Sequence, residues 1–177
     1  MRDTLIPSGE SFSSNVLRQY KEIYEEIACG FFRINWDDYF LMIASTVSLR
    51  STCLRRKYGA IIVKDNMIVG MGYNGAPSGE EHCTDIGKCW RMENNIPHGE
   101  RYEKCRACHA EINAITHASM NNMKNAIIYL VGYDTETRKF IRGEPCEFCR
   151  KACKNAGIRY CISRERGLQG NLTLLEF

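Results

Sequence analysis

The 177 residues are enough for one domain with a short attachment, and a hydrophobic content of 44% provides for one sizeable core. Twenty-four basic against 21 acidic side chains leave a formal charge of +3, too balanced for a broad duplex nucleic-acid surface but suited to a small anionic substrate. No apolar run reaches the length of a membrane span, and Met1–Glu10 lacks the apolar stretch of a secretory signal, so a cytoplasmic protein without membrane contact is expected.

In chain order, residues 1–34 read as a helical extension. Val16, Leu17, Tyr20, Ile23, Tyr24 and Ile27 fall on one helical face, fit to pack on the domain or on a neighbouring subunit. The main domain, 35–177, opens with Asn35 as cap of a helix from Trp36, whose stripe Phe40, Ile43, Ala44 and Val47 ends near Arg50. Tyr58–Lys64 and Met67–Tyr73 are β-branched runs flanking Asp65–Asn66, a tight hairpin. Residues 74–106 are rich in Gly, Pro, Asn and charge, a loop long enough to carry function or to need a clamp. A helix then runs from about Cys108 through Ile112, Ile115 and Ala118, followed by a buried strand at Ala126–Val131. A second helix covers Glu147–Asn155, stopped by Gly157, and a strand covers Ile158–Ile162. Helices alternating with strands imply a three-layer α/β arrangement, with no internal repeat or low-complexity tract.

Ten cysteines in a chain without a signal sequence indicate metal ligands, catalysis or burial more than disulfides. Cys83, Cys89, Cys105 and Cys108 crowd one polar stretch, Cys146 and Cys149 form a CxxC pair, and Cys29, Cys53, Cys153 and Cys161 stand alone. Two short pieces carry the chemistry: Cys108-His109-Ala110-Glu111 and Pro145-Cys146-Glu147-Phe148-Cys149, each where a helix begins. Cysteines three apart share one side of a helical turn, so both sulfurs can face one ion. The helix N-terminus also favours their thiolates. With His109 they make three ligands, and tetrahedral zinc keeps its fourth position for a water whose pKa falls from above 15 to roughly 7. Glu111, two residues past His109, can take that water's proton, protonate the ring nitrogen of an amino-pyrimidine and then the departing amine. The pairing of His-x-Glu with Pro-Cys-x-x-Cys is the signature of zinc deaminases. A closed structural finger would need a fourth protein ligand, and none adjoins the two pieces. Cys105 and Cys108 are nearest in sequence, and Cys108 faces elsewhere if the helix has begun beside it.

Further blocks are Asn35-Trp-Asp-Asp-Tyr-Phe40, Arg50-Ser-Thr-Cys-Leu-Arg55, Gly59-Ala-Ile-Ile-Val63 and Gly72-Tyr-Asn-Gly-Ala-Pro-Ser-Gly79. Through them, over residues 35–163, the chain resembles the deoxycytidylate deaminase family. The resemblance implies a cytidine-deaminase-like α/β/α sandwich with a central mixed sheet of about five strands. It implies conversion of dCMP to dUMP for thymidylate synthesis, with Asn74 on the sugar hydroxyl, Ser51 and Arg55 on the 5′-phosphate and Ala110 at the substrate. It also implies a homo-oligomer, a hexamer by analogy, with dCTP and dTTP as effectors and Mg2+ accompanying the allosteric nucleotide. As in some family members, a second, structural zinc would draw on Cys53, His82, Cys83, Cys89, His98 and Cys105; buried or free thiols with solvated histidines are the alternative. A guanidinium suits bidentate phosphate contact, although Arg55 also reads as a solvated charge beside Arg56 and Lys57. Asn74 reads equally as a turn residue.

Two features depart from the family pattern: the long segment Gly132–Gly143 and Glu144 ahead of the proline, both bordering the pocket. His117 is expected to be packed or at the surface, and Trp36 and Trp90 to be core or loop anchors. Two other readings compete. A related deaminase would act on another nucleoside, nucleotide, purine or tRNA, though a tRNA enzyme needs a basic and aromatic surface that the balanced charge does not favour. A zinc-stabilised module would bind nucleotides without turning them over.

Overall fold

The computed structural model describes residues 33–97 and 99–177, together with 21–22, 24–25 and 28–30. The chain divides into two compact units, Met1–Asn35 and Trp36–Phe177. In the first, Lys21 and Glu25 are helical and one turn apart, with Nζ 3.6 Å from the carboxylate. Tyr24 is exposed, and the rest of the apolar stripe expected there lies outside the described residues, as does His98.

The second unit begins with α1 (Trp36–Ser48), followed by β1 (Arg56–Lys64) and β2 (Met67–Tyr73). Asp65 and Asn66 take φ of 50° and 61°, the left-handed pair that a primed two-residue turn needs. Strand β1 starts two residues earlier than the apolar run suggests, at Arg56. The long loop holds three short pieces: α2 (Cys83–Ile86), α3 (Trp90–Glu93) and a 3-10 turn at Tyr102–Lys104. Next come α4 (Ala110–Thr116), α5 (Met120–Met123), β3 (Ile127–Asp134), β4 (Lys139–Ile141), α6 (Glu147–Asn155), β5 (Tyr160–Arg166) and β6 (Gln169–Glu176).

The strands form one six-stranded sheet in the order β2-β1-β3-β5-β6, with β4 on β3. Only β3 and β5 run parallel; the other pairs are antiparallel. Along one edge of β3, β1 pairs from Ile127 to Asp134. The other edge is shared, β5 taking Ile127–Tyr129 and β4 taking Gly132–Asp134. The long segment before Pro145 is therefore a strand extension and a hairpin, and it returns the chain to the sheet just ahead of the CxxC pair.

Successive residues of the central strands point to opposite faces, and both faces are covered, which is why these strands read as unbroken apolar runs. Ile62, Ile128 and Leu130 pack with Ala110 and Ala114 of α4 and Cys153 of α6. On the other side Ile61, Tyr129 and Val131 pack with Phe40, Leu41 and Ala44 of α1. Three layers result. Two polar links fix α1: Tyr129 OH donates to Asp37 at 2.8 Å, and Arg164 Nε donates to Asp38 at 2.9 Å. Of the core or loop positions expected for Trp36 and Trp90, neither is in the core: both are exposed, Trp36 stacking on Phe40 and Trp90 opening α3 in the long loop. Edge strand β6 and the short β4 escape the sequence pattern because neither has the alternating apolar face of a buried strand.

Candidate metal centre and its cavity

Helices α4 and α6 lie on the same face of the sheet, and the side chains at their N-termini meet. His109 precedes α4 at its cap position, Cys146 precedes α6 at its cap position, and Cys149 follows one turn later. His109 Nδ1 is 3.3 Å from Cys149 Sγ and 3.5 Å from Cys146 Sγ. Two atoms bonded to one tetrahedral zinc at its usual Zn–N and Zn–S lengths stand roughly 3.6 Å apart, so the three donors already have the spacing of a zinc site. Among the described residues, this is the one group of three or more His, Cys, Asp or Glu side chains so disposed.

Electrostatics supports the same reading. A hydrogen bond from Cys149, assisted by one from His109 and opposed by burial, draws the Cys146 thiol down to about 4. Cys149, donating to Cys146 and buried, is pushed far up, so the pair holds one proton between them. Burial alone would lower His109, but its hydrogen bond to Cys146 and the charges of Glu111 and Cys146 raise it. A dication here would replace the shared proton. Glu111, in the first turn of α4, is 5% exposed, and burial raises its carboxyl, partly offset by the nearby His109.

Helix α4 is placed by β2. Asn113 Nδ2 donates to Tyr73 O at 2.7 Å, and His117 Nδ1 stands 3.1 Å from Met71 O, a surface position as expected. A Cβ on Gly72 would strike the backbone of Ala110 and Ala114, so glycine allows the close approach. On the other ligand arm, a Cβ on Gly143 would strike the carbonyl of Leu130, so glycine lets the chain cross β3 on its way to Cys146. Cys108 is exchanged into a backbone bridge with Gly75, at 2.9 and 3.2 Å, and stands outside the donor group.

A cavity of about 450 Å³ opens over the donors, lined by His109, Ala110, Glu111 and Cys146 together with Tyr58, Asn74, Arg55, Arg91 and Tyr102. That is the size of a small-ligand pocket. Asn74 reaches it while tying two segments together: its Oδ1 accepts from Ser51 Oγ at 2.6 Å and from Tyr58 N at 2.7 Å, and its Nδ2 donates to Arg56 O at 2.8 Å. Ser51 is buried and absent from the lining; its hydroxyl is committed to Asn74. Arg55 lines the cavity and donates to Ile96 O at 3.2 Å. Glu144 at the rim pairs with Arg150 at 2.7 Å. The loop cysteines gather nearby: Cys53, Cys89 and Cys105 line the cavity, and Cys83 is raised by burial first and then by the neighbouring Cys53, Cys89 and Cys105. These four do not reach the mutual spacing of the first group. His82 instead pairs with Thr52 Oγ1 at 3.2 Å. Sequence reasoning missed Tyr58, Arg91 and Tyr102; the last sits edge-on to His109 with ring centroids 4.5 Å apart.

Residues 34–164 match the family described as the cytidine and deoxycytidylate deaminase zinc-binding region. The deoxycytidylate deaminase of Mycobacterium phage D29 is 36% identical over 134 residues, covering 73% of this chain and 94% of the phage protein. That of Schizosaccharomyces pombe is 37% identical over 99 residues, 55% of this chain but 30% of the yeast protein. This chain thus spans nearly all of the phage relative and less than a third of the yeast one. In fold it is similar to the crystal structure of dCMP deaminase from cyanophage S-TIM5 in complex with dCMP and dUMP, with a TM-score of 0.50 at 23% identity over 73% of this chain and 81% of that one.

Proposed function

This chain belongs to the cytidine and deoxycytidylate deaminase zinc-binding family, and we infer from that membership and from the site that it catalyses zinc-dependent hydrolytic deamination of dCMP to dUMP, releasing ammonia. The observation that carries this reading is the meeting of His109, Cys146 and Cys149 beside the buried Glu111 on one cavity. His109, Cys146 and Cys149 would hold zinc, which would supply Lewis acidity and lower the pKa of a water at the site to about 7. Glu111 is the proton carrier: its carboxylate takes one proton of the attacking water and gives it to N3 of the pyrimidine, then takes the remaining proton from the new C4 hydroxyl and delivers it to the amino group, which leaves as ammonia while C4 becomes the carbonyl. Burial of Glu111 keeps bulk water from short-circuiting the transfer. Ala110 lies against the substrate, Arg55 reaches its phosphate, and Asn74 meets the sugar hydroxyl with the amide hydrogen its own network leaves over. Ser51 acts through Asn74 by fixing its side chain.

The same reading extends to a structural zinc on the long loop, drawn from Cys53, Cys83, Cys89 and Cys105 with His98. The gathering of the four thiols supports it. Residues 1–34 form an extension to a catalytic domain at 35–177. Assembly into a homo-oligomer, a hexamer as the family resemblance implies, is supported by exposed apolar side chains at Met120, Leu172 and Leu174. dCTP and dTTP are its effectors, with Mg2+ accompanying the nucleotide. Among the described residues no helix is long and apolar enough to cross a membrane. A cytoplasmic site of action is supported by the need to keep ligand thiols reduced.

The test is ammonia release from dCMP, dCTP, cytidine, guanine and a tRNA anticodon stem by purified protein, with zinc counted per chain. Release from dCMP above the others is expected; release from another compound with none from dCMP removes the substrate, and no release at all removes the reaction. About two zinc ions per chain support the loop site, and about one removes it, since each such site holds one ion.

A further inference from the structure

Of the two sulfurs on the metal arm, Cys149 is placed by the first turn of α6 and is fully buried. Cys146 instead stands at the cap position in extended conformation, with φ of −67° and ψ of 166°, so its place depends on the direction in which the chain enters the helix. No side-chain cap hydrogen bond anchors that end of α6. Residues 142–145 lie in no helix or strand and make no backbone–backbone hydrogen bond among the described residues, and Pro145 has no N–H to give. Arg150 supplies the missing tie. Four residues after Cys146 it shares that residue's helical face, and side chains there lean back toward the helix N-terminus. Its Nε donates to Pro145 O at 3.1 Å and its Nη2 donates to Glu144 at 2.7 Å, while Arg142 stands 3.9 Å from the other carboxylate oxygen. Glu144, Pro145 and Arg150 all border the cavity.

A contact between the residue before a helix cap and the fourth residue inside the helix fixes the angle at which the chain enters. That contact is commonly apolar; here one guanidinium makes it with two hydrogen bonds, one of them to a carboxylate. Its planar fork engages both acceptors at once, which a single ammonium does not do. The side chains of Arg150 and Glu144 are 36% and 49% exposed, so their pairing adds little to the stability of the whole fold. Its effect is local, on where Cys146 Sγ stands relative to His109 Nδ1, 3.5 Å away. We propose that Arg150 is a positioning residue of the metal centre: by clasping Glu144 and Pro145 it holds Cys146 in the ligand pose, and so sets how tightly zinc is retained. The proposal rests on the zinc reading above. A merely structural role would have the clasp support the fold and leave the metal untouched.

The experiment measures zinc affinity by competition with a chromogenic chelator in the wild type, Arg150→Met, Arg150→Lys, Glu144→Ala and the Glu144→Ala, Arg150→Met double variant. The affinity of this site is the component absent from Cys149→Ser, and the melting temperature of each metal-free protein is read alongside. Arg150→Met weakens zinc binding by about 10- to 10²-fold, the range for losing a group that orients a metal ligand. Metal-free melting stays within about 4 °C of wild type, because a half-exposed pair contributes little to the fold. Glu144→Ala weakens zinc binding by a smaller factor, since the bond to Pro145 O remains. Arg150→Lys regains part of the loss, because its ammonium satisfies one acceptor of the two. In the double variant the two losses do not add, as both break one clasp. Unchanged zinc affinity in Arg150→Met, or losses that add in the double variant, overturns the proposal. Should Arg150→Met fail to fold, Glu144→Ala carries the test, and an unchanged affinity there overturns the proposal as well. Wild-type zinc binding is read first: its absence removes the zinc reading and this proposal with it, whereas its presence with indifferent variants removes only the role of Arg150.

Discussion

Cys149 is buried, and its hydrogen bond to Cys146 together with burial pushes its thiol up; on the proposed mechanism its sulfur is a zinc ligand. Cys149→Ser replaces a soft thiolate by a hydroxyl that stays protonated near neutrality, and zinc affinity and turnover both fall by at least about 10²-fold, read by metal analysis and by ammonia release. Tyr58, on the cavity wall, is governed by burial, which pushes its hydroxyl up to about 12 against the charge of Arg56. In the unfolded chain the phenol ionises near 10, so its contribution is fully present below that pH and is lost as pH rises from about 10 to 12. Wild-type protein therefore loses about 2–3 kcal/mol over that window relative to Tyr58→Phe, measured by denaturant unfolding at stepped pH. The grouping of His109, Cys146 and Cys149 beside Glu111 was foreshadowed in the sequence because residues one helical turn apart form a local pattern. Arg91 and Tyr102 were not, because their approach to His109 depends on how a loop from 74 to 106 folds back, and no short-range spacing encodes that.

At the scale of elements, the site depends on how closely α4 lies on β2 and how the chain enters α6. Gly72→Val places two methyls against the backbone of Ala110 and Ala114, so α4 must move, carrying His109 and Glu111 with it. Overpacking of this kind costs about 1–3 kcal/mol. A displacement approaching 1 Å at the reacting groups costs up to about 10²-fold in rate. The variant is expected to remain folded with a lower urea midpoint and a kcat reduced by more than its stability loss explains; an unchanged kcat would show that α4 tolerates the shift. The hairpin, α1, α4 and α6 were readable from period and turn chemistry. Strand β6 was not, since its exposed Leu172 and Leu174 and its polar first residues present no buried alternation. The segment after Val131 looked like an insertion of unknown shape, and the free upper edge of β3 is what turns it into a paired hairpin.

The sandwich brings two helix starts, 37 residues apart from Ala110 to Glu147, onto one face of a single sheet. The cavity between them is about 450 Å³, and burial there raises the carboxyl of Glu111. On the proposed mechanism, Glu111 moves protons for a reaction whose metal it does not hold. Glu111→Gln keeps the shape and removes the carboxylate, so the decisive measurement is ammonia release from dCMP by that variant, with zinc counted in the same sample. A rate lower by about 10²- to 10⁴-fold at unchanged zinc content is expected. A wild-type rate, or zinc lost together with activity, would contradict it.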